Sequence, residues 1–174
     1  MRWIVLLRGV NVGGHGKTPM AELRCALEEA GAENVETYIQ SGNLIFDHPE
    51  SDAAEIAEWT SALIETLFGH RPPALAFTQD ELSQIIDANP YDAADQPKFM
   101  HFHLFHGKPA GDPVVALSQI AQEGEEATLA PNCLYHWAPG GFGTSKIAVR
   151  AERAIGLPTT ARNLNTMRKL IDLA

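Results

Sequence analysis

A chain of 174 residues, 45% of them hydrophobic, holds one domain or two small subdomains and has enough apolar side chains to bury a core, which argues against intrinsic disorder. A formal net charge of −9 argues against general nucleic-acid binding, because phosphate backbones are held by Lys and Arg. No apolar run approaches the roughly 20 residues a membrane span needs.

The run from Trp3 to Leu7 is too short for a signal-peptide core, and no small-residue cleavage site follows. The expectation is a cytoplasmic protein with no membrane partner. Cys25 and Cys133 form no CxxC pair, so reduced thiols are expected.

In chain order, Trp3–Arg8 reads as a buried strand. Met20, Leu23, Ala26, Leu27 and Ala30 then recur at helical spacing, with Thr18 as N-cap, Pro19 in the first turn and Gly31 as the stop. Val35–Ile39 and Leu44–Phe46 are short strands joined by the turn "QSGN". Asp52–Phe68 is a second helix with Ile56, Trp59, Leu63, Ile64 and Leu67 inward, and "PPALAFT" supplies a fourth strand. A linking helix, "QDELSQIIDA", comes next.

The plan then repeats in part. Phe99–Phe105 is a strand, Pro113–Gln122 a helix, "EATLA" and "CLYHW" a hairpin, and Ser145–Ile155 a helix. The last helix runs from about Arg162 to Leu173. The fold class is therefore α+β, with two ferredoxin-like (split βαβ) halves packed as one body. Residues 1–78 form the N-terminal half, and residues 79–174 form an α+β half with basic C-terminal helices. From residue 144 onward six basic side chains face two acidic ones, which suits an anion site or a dock onto the acidic remainder.

Split βαβ topology runs the first and second strands parallel with the third between them. The loop 9–18, the turn 40–43 and the connection "GHRPP" before the fourth strand are then brought to one sheet edge, where a site is expected.

The loop "RGVNVGGHGKT" imitates a Walker A motif, G-x-x-x-x-G-K-[ST], with Asn11 in the first Gly position. Pro19 removes a backbone donor where an anion would need one. The hairpin after the helix also conflicts with the parallel sheet of a P-loop enzyme. Backbone N–H groups of a Gly-rich loop can still cradle an anion, with Arg8 and Lys17 at its rim.

"LLRGVNVGG", "PMAELR", "YIQSGNLIF" and "TTARNLNTMRKL", in that order, resemble the bacterial family of unknown function DUF1697. The resemblance implies a two-part α+β fold of ferredoxin-like type and no established activity. It makes Gly16, Lys17 and Thr18 look like local variation. The family-like positions are Arg8, Gly9, Asn11, Gly13, Gly14, Gln40, Ser41, Gly42, Asn43, Arg162, Asn163 and Thr166.

From these, a candidate ligand site comprises Arg8, Asn11, Gly13, Gly14, Gln40, Ser41 and Asn43, with Arg162, Asn163 and Thr166 as a clamp from the last helix. Arg8 offers a planar fork to an anion or pairs with a carboxylate such as Glu22. Gln40, Ser41 and Asn43 either bind ligand or satisfy their own turn. Arg162, Thr166 and Lys169 are read as one helix face, with Thr159 or Thr160 as N-cap and Leu164, Met167 and Ile171 as the apolar stripe. "GGFGTSK" reads as a flexible connection capped by Thr144 or Ser145.

His101 and His103 share one side of a strand, with His136 as a possible third neighbour. Phe99 and Phe105 on the same face make a packed surface the better reading, and no metal is expected. Glu125–Glu126 reads as a solvated acidic run. No nucleophile–base–acid set stands out, and no cofactor motif is complete.

The leading functional reading is a protein that binds a small anionic or phosphate-bearing ligand at the Arg8–Gly14 loop and the Gln40–Asn43 turn. The alternatives are a non-enzymatic protein-interaction module and, behind it, a P-loop-like kinase. RNA binding on an open sheet face ranks last, since the chain is acidic and lacks an RRM-type aromatic signature.

Overall fold

A computed structural model describes residues 1–174. The chain divides into two compact units, Met1–Ser83 with Lys169–Ala174, and Gln84–Arg168.

The first unit contains β1 (Arg2–Leu7), α1 (Met20–Glu29), β2 (Glu33–Tyr38), β3 (Asn43–Asp47), α2 (Ala53–Phe68) and β4 (Ala74–Phe77). Its sheet order is β2-β3-β1-β4, with every neighbouring pair antiparallel. This is the split βαβ arrangement, because β1 and β2 are parallel with β3 between them. Alternation along β1 sends Trp3, Val5 and Leu7 into a cluster with Leu23 and Leu27 of α1 and Ile56 and Ile64 of α2. Ile4 and Leu6 are buried as well, so the whole strand reads as an apolar run instead of alternating.

Asp52 caps α2 by accepting from the N–H groups of Ala54 and Glu55, and Gly69 ends it in the left-handed conformation. Leu67, expected to face inward, is 47% exposed; the buried stripe of α2 is Ile56, Thr60, Ser61 and Ile64. At α1 the N-cap position belongs to Pro19, and no side chain caps the helix. Thr18 fails as the expected cap because its hydroxyl is turned to the Gly16 carbonyl and to His70. The chain's last residues join this unit through the carbonyls of Ile171 and Leu173, which accept from Gln79 and Arg2.

The helix α3 (Gln79–Asp87) leads into the second unit, which holds β5 (Met100–Leu104), α4 (Pro113–Ser118), β6 (Glu126–Ala130), β7 (Cys133–Trp137), α5 (Lys146–Ile155) and β8 (Thr160–Asn163). Its sheet order is β6-β7-β5-β8, which repeats the first topology strand for strand. Phe105, Leu117, Leu134, Ile147, Ala151 and Ile155 make its core.

A strand stands where the sequence predicts the start of the last helix. Thr160–Asn163 is a strand paired antiparallel with β5, and only from Leu164 does α6 (Leu164–Leu173) begin. Arg162 therefore does not share a helix face with Thr166 and Lys169. Neither Thr159 nor Thr160 caps α6; Asn163 does, its Oδ1 accepting from the Thr166 N–H at 2.9 Å. The buried stripe of α6 is Leu164, Met167 and Leu170, with Leu170 in the place expected for Ile171.

Candidate functional site

The register of the first sheet aligns Leu6 and Tyr38 with Asn43, and Leu7 with Ala74. One end of the sheet thus gathers the loop after β1, the β2–β3 turn and the connection into β4. Their backbones are joined directly. Leu7 N–H donates to the Gly42 carbonyl at 2.8 Å, and Arg8 N–H to the Pro73 carbonyl at 2.9 Å.

Asn11 organises this edge. It adopts a left-handed φ of 53°, which Asn tolerates better than most residues. Its Nδ2 donates to the carbonyls of Thr18 and Gln40, each at 2.9 Å. Its Oδ1 accepts from the Thr18 N–H at 2.9 Å. All three side-chain bonds go to backbone, so Asn11 closes its own loop and ties it to the neighbouring turn.

Two glycines are required by space as well as by φ. A Cβ on Gly16 would lie 2.5 Å from the Gly9 carbonyl oxygen, and one on Gly42 would lie 2.6 Å from Val10 Cγ2 and 2.7 Å from Leu7 Cβ. By contrast, Gly13 and Gly14 face open space. Asn43 is fully buried, and its Nδ2 donates to the Tyr38 carbonyl at 2.9 Å and to Ser41 Oγ at 3.1 Å. The Gln40 side chain is exposed, and Ser41 is half-buried.

Beside this knot lies a cavity of about 370 Å³ lined by Arg8, Gly9, His70, Arg71, Pro72 and Pro73. Arg8 is exposed. His70 meets Thr18 Oγ1 through Nε2 at 3.0 Å, which fixes the ring against the Gly-rich loop. Arg71 forms ion pairs with Glu58 and Glu65 of α2. Glu65 and Glu58 hold its guanidinium above its ordinary value. The sequence signalled this wall only as the connection "GHRPP", without naming His70 or Arg71.

Arg162, Asn163 and Thr166 lie in the second unit. Arg162 is buried, and its Nη1 donates to Thr160 Oγ1 at 2.9 Å and the Ala161 carbonyl at 2.8 Å. Burial pulls its pKa down to about 10, so it is still charged at neutral pH. Asn163 and Thr166 share the helix cap described above.

The second unit also contains a polar cluster that the sequence did not reveal. Glu125 is buried, which corrects its reading as part of a solvated run. Its carboxylate accepts from His136 Nε2 at 2.8 Å, from the Gln122 N–H at 2.9 Å and from the Ser145 hydroxyl. Burial pushes the Glu125 carboxyl up, but these hydrogen bonds outweigh it and hold the group below the usual carboxylate range. An ionised carboxylate only accepts, so His136 Nε2 carries a proton. Burial lowers the His136 pKa against the opposing pull of Glu125, so its other nitrogen, Nδ1, is an acceptor. His103 Nε2 donates to it at 3.1 Å.

His101 stacks on Phe142 with ring centroids 4.2 Å apart. Ser145 additionally caps α5 by accepting from the Ala148 N–H. Although serine, histidine and glutamate meet here, both Glu125 and Ser145 face the same nitrogen of His136. A relay from nucleophile through base to carboxylate needs opposite nitrogens, so the cluster is built as a buried hydrogen-bond chain. No group of three His, Cys, Asp or Glu side chains is arranged to hold a metal ion. A second cavity, of about 270 Å³, opens near this cluster between Tyr91, Val114, Thr128 and Ile147.

Fold and edge together define a class: an α+β protein of two ferredoxin-like units, the first carrying a Gly-rich loop knotted to a hairpin turn. The chain belongs to the family described as protein of unknown function (DUF1697), whose model matches residues 1–135. The conserved bacterial protein SP0830 from Streptococcus pneumoniae is similar in structure, with 22% sequence identity, 99% of this chain and 97% of that chain covered, and a TM-score of 0.75. That likeness is one of fold. No curated protein matches the chain. No helix is long and apolar enough to cross a membrane.

Proposed function

We propose that the protein binds a small anionic or phosphate-bearing ligand in the cavity beside the Gly-rich loop. The observation that carries this reading is the cavity wall itself, where Arg8, His70 and Arg71 line about 370 Å³ of space. Guanidinium forks match the geometry of phosphate and carboxylate oxygens. Asn11, Gly13, Gly14, Gln40, Ser41 and Asn43 belong to this site mainly as its frame. The bonds of Asn11 and Asn43 tie the loop and the turn together next to the cavity wall, and a preorganised wall costs less to order on binding. Arg162, Asn163 and Thr166 are engaged in backbone contacts and caps in the other unit, so this reading gives them no direct contact with the ligand.

The P-loop alternative loses its support in the sheet. β1 has antiparallel neighbours on both sides, whereas a P-loop needs a parallel βαβ frame. The interaction-module reading keeps one specific observation. Val12 is 63% exposed and Ile39 50% exposed, and each is the chain neighbour of a residue in the Asn11–Gln40 hydrogen bond. Ile39 also holds a φ of 53°, a conformation that costs a β-branched residue about 1–2 kcal/mol.

Thermal unfolding in the presence of inorganic phosphate and a panel of phosphate esters tests the proposal. A ligand present at a hundred times its Kd adds roughly 2.7 kcal/mol to stability. The shift is expected to vanish in Arg8→Ala and to survive in Lys17→Ala. A panel that leaves the midpoint unmoved, combined with concentration-dependent self-association that Val12→Ser abolishes, would replace ligand binding with the interaction module.

A further inference from the structure

Sheet edges expose unpaired backbone N–H and C=O groups, and folded chains disarm them with short strands, prolines, bulges or charges. Three of the four edges here are disarmed in those ways. β4 and β8 are only four residues long, and β4 follows Pro72 and Pro73. β2 carries a register shift between Glu33 and Glu36, with Asn34 at a left-handed φ of 50°. β6 has none of these devices. It pairs with β7 alone and without a register shift, and after Glu126 it runs through Ala127–Ala130 with neither charge nor proline.

The register shows which groups are open. The hairpin closes on Ala130 opposite Cys133, so Ala130 and Thr128 exchange bonds with β7. The intervening Ala127 and Leu129 turn their N–H and C=O groups to the sheet edge, where neither backbone meets a further partner in the chain. Side chains alternate accordingly. Ala127 and Leu129 pack on the core beneath the helices. Thr128 faces the other way, its Oγ1 2.7 Å from the Tyr91 hydroxyl. The edge is walled on both faces, by Val114, Ser118 and Ala121 on the helix side and by Tyr91 on the other.

We propose that β6 takes up an extended basic peptide as a fifth strand of the second sheet. Main-chain bonds to Ala127 and Leu129 supply the affinity, and alternate side chains of the peptide meet the two walls. On the helix side they meet Val114, Ala121 and Ala127, which suit an apolar residue. On the other side they meet Tyr91, Thr128 and Glu126, which suit a polar or cationic one. Glu125 and Glu126 both line this groove, and no Lys or Arg does, so the charge that complements it is positive. The same charge turns away a second copy of the chain, whose β6 would bring its own pair of glutamates to the same short edge.

The test uses short end-blocked peptides titrated into the full chain and followed by NMR of the backbone amides. A peptide alternating lysine and valine is expected to shift and protect the amides of Ala127 and Leu129. It is expected to bind at least about tenfold more tightly than its glutamate–valine counterpart. N-methylation of its backbone nitrogens removes the donors for the new ladder and is expected to weaken it at least about fivefold. Glu126→Lys, a substitution at an exposed position, is expected to shrink the preference for lysine over glutamate. The proposal is overturned if the lysine–valine peptide does not bind, if its N-methylated form binds equally well, or if the shifts fall elsewhere. Protection of the same two amides in the peptide-free chain, rising with protein concentration, would hand the edge to a second copy and overturn it likewise. None of these outcomes bears on the anion site, which lies in the first unit and is read by Arg8→Ala.

Discussion

Asn11 Nδ2 donates to the Gln40 carbonyl at 2.9 Å across 29 residues of chain, and this contact joins the loop after the first strand to the hairpin turn two strands away. The same amide also brackets Thr18 on both its backbone groups. One side chain thereby ties together the loop and the turn at the sheet edge.

Replacing Asn11 by Ala removes three hydrogen bonds to backbone and leaves a non-glycine residue at positive φ. Each bond is worth about 1 kcal/mol net, and the left-handed conformation adds about 1 kcal/mol of strain for Ala. Asn11→Ala is expected to lower stability by about 2–4 kcal/mol. Asn11→Gly loses the bonds without the strain and falls short of that loss. Urea unfolding of the two variants at constant slope measures the difference; equal stability for wild type and Asn11→Ala would remove Asn11 from its organising role.

Gly42 and Gly13 separate the cost of φ from the cost of space. Both have positive φ, but a Cβ is blocked by Leu7 and Val10 only at Gly42. Gly13→Ala is expected to cost about 1 kcal/mol from conformation alone. Gly42→Ala adds overpacking of about 1–3 kcal/mol, because Leu7 belongs to a buried strand and its Cβ cannot retreat. Midpoints from chemical unfolding that rank Gly13→Ala as the worse variant would contradict the packing at this turn.

Period and turn chemistry made the element order readable. Asp52, Gly69 and the hairpin "EATLA"–"CLYHW" carry local signals strong enough to survive folding. β8 carried no such signal. Four residues, Thr160–Asn163, run straight into a helix without a turn, and their strand character comes from pairing with β5, about sixty residues earlier. The burial of Glu125 is illegible in the sequence for a related reason. Its local sequence, "EGEEA", looks solvated, and only His136 and Ser145, brought in by β7 and the start of α5, make burial tolerable. Asn11 stood out in the sequence as a loop residue, but whether its amide turned to ligand or to backbone depended on where the Gln40 carbonyl would lie.

Glu125 and Glu126 are adjacent in sequence and opposite in consequence. Glu126 is exposed, so Glu126→Ala is expected to change stability by less than about 0.5 kcal/mol. Glu125→Ala strands the His136 Nε2–H and the Ser145 hydroxyl in a buried place. Leaving two buried donors unpaired costs about 1–3 kcal/mol each, so a total loss of roughly 2 kcal/mol or more is expected. Parallel denaturation curves settle the contrast, and similar small effects for both would show that the buried chain is dispensable.

The stacked histidines make the protein acid-sensitive in a defined window. Burial, with help from neighbouring His136 and His101, pulls His103 down to about 3. Burial also lowers His101 to about 4, against the opposing hydrogen bond to the Phe99 carbonyl. In the unfolded chain both return to about 6.5. Between those values the unfolded state binds more protons than the folded one, so stability is fully present above pH 6.5 and is lost as the pH falls toward 4 and then 3. Glu125, whose pKa is also depressed, acts in the same direction at the acid end. The slope from His103, which is fully enclosed, reaches about 1.4 kcal/mol per pH unit; His101 adds a smaller share. His103→Gln keeps a donor toward His136 and removes the titration, so its unfolding midpoint is expected to fall less steeply between pH 6.5 and 4. A variant slope equal to that of the wild type would assign the acid sensitivity to other groups.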